Sequence, residues 1–172
     1  MRYNSKLKKL SFLVLSFALM TSLISCDRVT PAPDPTGFEA QDMLGDWYVQ
    51  FLYEGEDIYG IGTVLITTYN TSENDGTSMW INDFGNTWWF IVNCPINASA
   101  MTFSGSSLNS YYPDYGIDVN ITNGQITKNG ATSPSGKTVD KISFEAEFSD
   151  DPGSVYEIVG YRWSGKLTDV PQ

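Results

Sequence analysis

Between Gly45 and Lys166 apolar and polar residues alternate in short runs, each ending at a cluster of Gly, Pro, Asn, Asp or Ser. A period of two places successive side chains on opposite faces and predicts strands. In the first run Trp47, Val49, Phe51 and Tyr53 share one face while Tyr48, Gln50 and Leu52 share the other, behind Gly45, which lets the chain enter tightly. Residues 59–69 form a β-branched run that can be buried on both sides. Met79-Trp80-Ile81 and Trp88-Trp89-Phe90-Ile91-Val92 predict two more strands, and Pro95 predicts an end or an edge. Met101 to Ser104 predicts another, followed by an aromatic-bearing loop over residues 105–115. Ile117, Val119 and Ile121 alternate with Asp118, Asn120 and Thr122, and Asn123-Gly124 predicts a two-residue hairpin into residues 125–128. Residues 129–138 read as the longest loop. Ile142, Phe144, Ala146 and Phe148 then alternate with Lys141, Ser143, Glu145 and Glu147, Asp150-Asp151-Pro152-Gly153 turns the chain, and residues 156–166 close the sheet. About eight to ten short strands without a long helical stretch predict an all-β fold. The expected architecture is an antiparallel meander β-barrel of about eight strands; a two-sheet β-sandwich competes with it.

Ahead of this body the pattern changes. Arg2, Lys6, Lys8 and Lys9 precede an apolar run from Leu10 to Ile24, and Leu23-Ile24-Ser25 stands directly before Cys26. That order is the shape of a secretory signal, and its end resembles the lipobox of bacterial lipoproteins, in which the cysteine thiol takes up diacylglycerol. Cys26 is therefore the expected lipid attachment site, with two or more acyl chains on one residue to hold the membrane. Residues 26–37 carry Pro31, Pro33 and Pro35 and read as a stiff tether. Thr36 and Glu39 fit a capping box for a short helix from Phe38 to Leu44, with a loop as the competing reading of the same composition. The organisation expected is a signal peptide over residues 1–25, the tether over 26–37 and a single barrel domain over 38–172.

Charge and chemistry narrow the functions. The leader holds four of the ten basic residues, so the remainder carries six against 20 acidic, a net charge of −14. Nucleic acid is excluded as a partner on that balance. With Cys26 lipidated, Cys94 is the one cysteine left, so no intramolecular disulfide forms. The chain has no histidine, which excludes Ser–His–Asp and Cys–His catalysis, and no Gly-x-Ser-x-Gly elbow. Zinc favours His and Cys ligands, and Asn70 to Gly76 lacks the spacing of a calcium loop, so no metal and no cofactor is expected. The acidic clusters Glu54, Glu56, Asp57 and Asp150, Asp151 read as solvated corners.

Aromatic residues make up 14% of the chain, enough to line or to fill a barrel. Phe51, Tyr53, Trp80, Phe90, Phe144 and Tyr156 are the expected inward rings. They either surround a small apolar ligand or pack against one another as a solid core. Tyr111, Tyr112, Tyr115 and the pair Trp88-Trp89 are the expected surface rings, since one of two consecutive strand residues must face out, and they suit a glycan or a protein partner.

Two resemblances follow from particular residues. Gly45-x-Trp47 and Arg162 resemble the signature of lipocalin-like (calycin) barrels, in which an arginine of the closing strand lies on the tryptophan of the opening one. Thr68-Tyr69-Asn70-Thr71, Ser78 to Asp83, Ile121 to Gly124, Ala131 to Gly136 and Gly160-Tyr161-Arg162 resemble the lipid-binding putative hydrolases, secreted lipoproteins of Bacteroides-like bacteria. That resemblance implies one β-barrel domain and a lipid or other small apolar ligand; the lipobox adds an expected location in the cell envelope, anchored through Cys26 in the outer membrane on its periplasmic or outer face. The hydrolase half of the name finds no motif in this chain.

Overall fold

The computed structural model describes residues 40–171. The leader, Cys26, the tether and the pair Thr36 and Glu39 lie outside the described residues. Eight strands run in chain order, β1 (Gly45–Tyr53), β2 (Thr63–Asn70), β3 (Ser78–Asn82), β4 (Ile91–Asn97), β5 (Thr102–Asn109), β6 (Asp118–Thr132), β7 (Thr138–Phe148) and β8 (Tyr156–Arg162). Each pairs antiparallel with the next, and β8 returns to β1, so the sheet is a closed barrel rather than a sandwich. The inward alternation is as the sequence predicts in β1 and β7: Trp47, Val49 and Phe51 are buried, as are Ile142, Phe144, Ala146 and Phe148.

The closing seam carries the signature residues. Trp47 stands opposite Arg162 in the β1–β8 register, with the guanidinium carbon 4.5 Å from the indole centroid. A cation over an indole contributes about 0.5–2 kcal/mol, more as water is excluded. Arg162 also donates from Nη1 to the Leu44 carbonyl (2.6 Å) and from Nη2 to the Asp42 carbonyl (2.5 Å). Its Nε lies 3.2 Å from Asp140 Oδ2 but is not aimed at it, so that contact is Coulombic rather than a hydrogen bond. The indole N–H donates to Thr68 Oγ1 (2.9 Å), whose hydroxyl donates to the Met43 carbonyl (2.7 Å). Gly45 is required here: its φ is +147°, and a Cβ on it would come within 3.1 Å of Arg162 Nη1.

This end of the barrel is capped. Of the helix expected from Phe38 to Leu44, the described residues hold a single 3-10 turn at Gln41–Met43, which lays Met43 on the core with Leu44 packed beside it. At the C-terminal side Asp169 is buried and accepts from Ser135 N (2.5 Å), Ser135 Oγ (3.0 Å) and Ser164 Oγ, tying the last residues to the β6–β7 loop.

Asp140 gives this end its acid sensitivity. Burial pushes its carboxyl up, but the Asn129 N–H, Lys128 and Arg162 outweigh that and hold it below the usual range. The folded value lies under the unfolded one of about 3.9, so the stabilisation is complete above pH ~4 and is lost as pH falls through the lowered value. Melting followed by circular dichroism from pH 7 to pH 2 is expected to be level down to about pH 4 and then to fall. Asp140→Asn should lower the plateau and flatten part of that fall.

Three local predictions are corrected. Asn123-Gly124 is not a hairpin: β6 runs on for 15 residues, and the register shift between Thr122 and Gln125 marks a bulge with Asn123 at φ 54°. The left-handed residue that a tight hairpin needs serves equally to bulge a strand. β6 therefore continues to Thr132, and the expected long loop shrinks to residues 133–137. Residues 88–90 are not strand, since β4 begins at Ile91.

Pro95 falls inside β4 rather than at a sheet edge. The Ile96 N–H bonds the Thr77 carbonyl on the β3 side, and successive N–H groups point to opposite neighbours, so the donor that Pro95 lacks is on the β5 side. The β4–β5 register accordingly comprises only Ile96 with Phe103 and Asn97 with Thr102.

Candidate functional site at the open mouth

Opposite the capped end, four loops surround a mouth: residues 54–62, 83–90, 110–117 and 149–155. Asp83 organises the second. Buried just after β3, it accepts from the backbone N–H of Gly85 (2.8 Å), Thr87 (3.0 Å), Trp88 (3.0 Å), Trp89 (2.8 Å) and Phe90 (2.9 Å), and from Thr87 Oγ1 (2.9 Å). One carboxylate thus takes the donors that a strand would have given to its neighbours, which is why residues 88–90 loop instead of pairing. It also holds Phe84 and Trp89 at φ 54° and 58°, conformations unfavourable to bulky residues.

The loop sends its two indoles different ways. Trp89 is 51% exposed and leans on Tyr112 and Tyr115, with ring centroids 5.7 and 6.0 Å away. Trp88, expected as a surface ring or its partner, turns down into the barrel. Its plane lies 13° from that of Phe148 at 4.8 Å, and Tyr156 (5.0 Å), Phe51 (6.0 Å) and Tyr59 (5.8 Å) complete the surround. Its N–H donates to Asp150 Oδ1 (2.9 Å), and the Tyr115 hydroxyl donates to Asp150 Oδ2. Tyr156 donates to Asp151 Oδ2 (2.6 Å) and lies 3.0 Å from the Tyr59 hydroxyl. Thr87, Trp88, Trp89 and Tyr115 line an open cleft of about 320 Å³ above the ring stack.

Of the expected inward rings, Phe51, Phe90, Phe144 and Tyr156 are buried, and Tyr53 is half-buried against Tyr156. They contact one another: Phe51 stacks on Tyr156 at 4.7 Å, and Phe144 meets Phe103 edge-on at 5.5 Å. Trp80 is a correction. Met79 and Ile81 take the inward positions of β3, and Trp80 lies outside between Tyr69 (6.4 Å) and Tyr111 (5.2 Å), the latter 64% exposed.

Electrostatics leave the mouth acidic and its phenols neutral. Burial pushes Asp150 up, but the bonds from Tyr115 and Trp88 prevail and hold its carboxyl below the usual range. The Asp150 hydrogen bond in turn raises the Tyr115 phenol. Burial, then the bond to Asp151, raises Tyr156 far above an ordinary phenol. Cys94 is buried, and burial pushes its thiol up to about 12, so it is no nucleophile at neutral pH. The mouth can hold an apolar body in its cleft and offer Asp150 as an acceptor at the rim. It brings no activated nucleophile to that place.

Asp83 and Asp150 are the site residues that sequence reasoning missed. Asp83 precedes Phe84-Gly85, an Asx-turn signal within what read as a plain linker. Asp150 gave no signal, because its partners are 62 and 35 positions away.

An eight-strand antiparallel meander closed by an indole–guanidinium pair, capped at one end and open at the other, is a lipocalin-like barrel. A family model described as lipid-binding putative hydrolase matches residues 32–166, and the chain belongs to that family. Family and barrel together fit lipid binding. No curated protein matches the chain.

Proposed function

We propose that this protein is an envelope lipoprotein, anchored through lipidated Cys26, that takes one lipid or other small apolar molecule at its open mouth. The anchor rests on the lipobox-like run before Cys26. The mouth rests on one observation above all: an open cleft lined by two indoles and a phenol, one of those indoles packed on the rings at the top of the barrel. The test is calorimetric titration of the purified chain with oleate. One-to-one binding is expected, and Trp89→Ala, which removes the most exposed ring of the cleft, should weaken it about tenfold with little change in melting temperature. Equal affinity in the variant would remove the mouth as the site, and a wild-type chain that takes up no oleate would remove an acyl chain as its occupant.

A second reading draws on the outer wall, where Trp80 lies between Tyr69 and Tyr111 on the outside of the barrel. Those rings suit stacking on a surface glycan, and the same titration with a soluble oligosaccharide separates the two readings.

A further inference from the structure

Strand residues are held facing inward by the ladder, but Trp88 enters the barrel from a loop. Its backbone is fixed by Asp83, so only the side-chain torsions stand between the inward indole and one swung into the adjoining cleft. The indole lies on a floor of three rings that touch one another, Phe148 at 13° to its plane, Phe51 at 26° and Tyr156 tilted, with 4.7 to 6.0 Å between the centroids of those three. At the rim, exposed Asp150 supplies the acceptor that the indole N–H uses. A floor of aromatic rings with one acceptor at its rim is thus covered by the protein's own side chain.

We infer that Trp88 stands in for the ligand. The molecule this barrel takes is a flat, ring-bearing apolar compound with an N–H or O–H donor, which displaces the indole and takes over its bond to Asp150. This rests on the mouth reading and deepens it by naming the ligand class and the residue that selects it. A fused ring system stacks on that floor as indole does, whereas a straight acyl chain covers less of it. Because the site is occupied in the resting protein, apparent affinity is lowered by the fraction of time the indole is out, and removing the occupant raises it.

Carbazole and fluorene make the matched probes, alike in shape and differing in a single N–H donor. Both are titrated into the wild-type chain, Trp88→Ala, Asp150→Ala and the double variant. Trp88→Ala should bind both probes at least tenfold tighter than wild type, with carbazole favoured over fluorene by about fivefold, and the double variant should lose that preference. Asp150→Ala alone frees the indole, so fluorene, which has no use for the carboxylate, should bind it about threefold tighter than wild type. If Trp88→Ala does not fold, the fluorene comparison in Asp150→Ala decides alone. Equal affinities in wild type and every folded variant overturn the inference. Failure of the mouth reading looks different: wild type then takes up neither oleate nor either probe, and probe binding confined to Trp88→Ala marks a cavity made by the substitution, which also overturns the inference.

Discussion

Asp83→Ala is expected to lower stability by about 3–4 kcal/mol and the melting temperature by roughly 10–15 °C, although the residue lies in a loop. Five backbone donors and a hydroxyl lose their common acceptor at once. Each unsatisfied donor costs about 1–3 kcal/mol where water cannot reach it, and solvent at the exposed side of the loop recovers part of the total. Asp83→Asn sharpens the prediction. It preserves volume but turns one acceptor oxygen into a donor facing N–H groups, so it should be nearly as damaging as alanine. Thermal unfolding gives the loss, and near-ultraviolet circular dichroism should report Trp88 leaving the rings of Phe148 and Phe51. If Asp83→Asn unfolds like wild type, the carboxylate does not organise this loop.

Gly160→Ala should have a comparable effect for an unrelated reason. The residue faces inward on β8, directly opposite Val49 in the closing seam. A methyl group there would lie 2.1 Å from the Tyr48 carbonyl oxygen and 2.6 Å from Val49 Cα, both backbone atoms of β1 that cannot turn aside as a side chain could. The strands must spread, at a cost of about 3–4 kcal/mol, because overpacking against backbone lies at the severe end of such effects. Denaturant unfolding is the measure, and a change below about 1 kcal/mol would mean that the seam is looser than its atoms indicate.

Sequence pattern revealed the wall of the barrel better than its ends. Where apolar and polar residues strictly alternate, as from Lys141 to Phe148, the face of each side chain can be read directly. Met79-Trp80-Ile81 offers no polar residue to break the tie, and the expectation that Trp80 lines the interior fails there. The apolar run from Trp88 to Val92 looks like strand at every position, yet its first three residues are claimed by a carboxylate five to seven positions upstream. Asn123-Gly124 has the same local conformation in a hairpin as in a bulge, so only the partner strands decide. The Trp47 and Arg162 pairing was legible because a short signature fixes it, whereas Trp88 meets Asp150 only after the whole chain has closed.

The two-pair register between β4 and β5 gives the cylinder one narrow stave joint. Loosening of the wall by heat or acid has its least resistance along that line, and parting it bares the flank of each strand to a second copy of the chain. Pro95 shortens the joint and guards it too: a strand adding to that flank of β4 finds no N–H at this position, so the weakest line of the barrel is a poor template for aggregation.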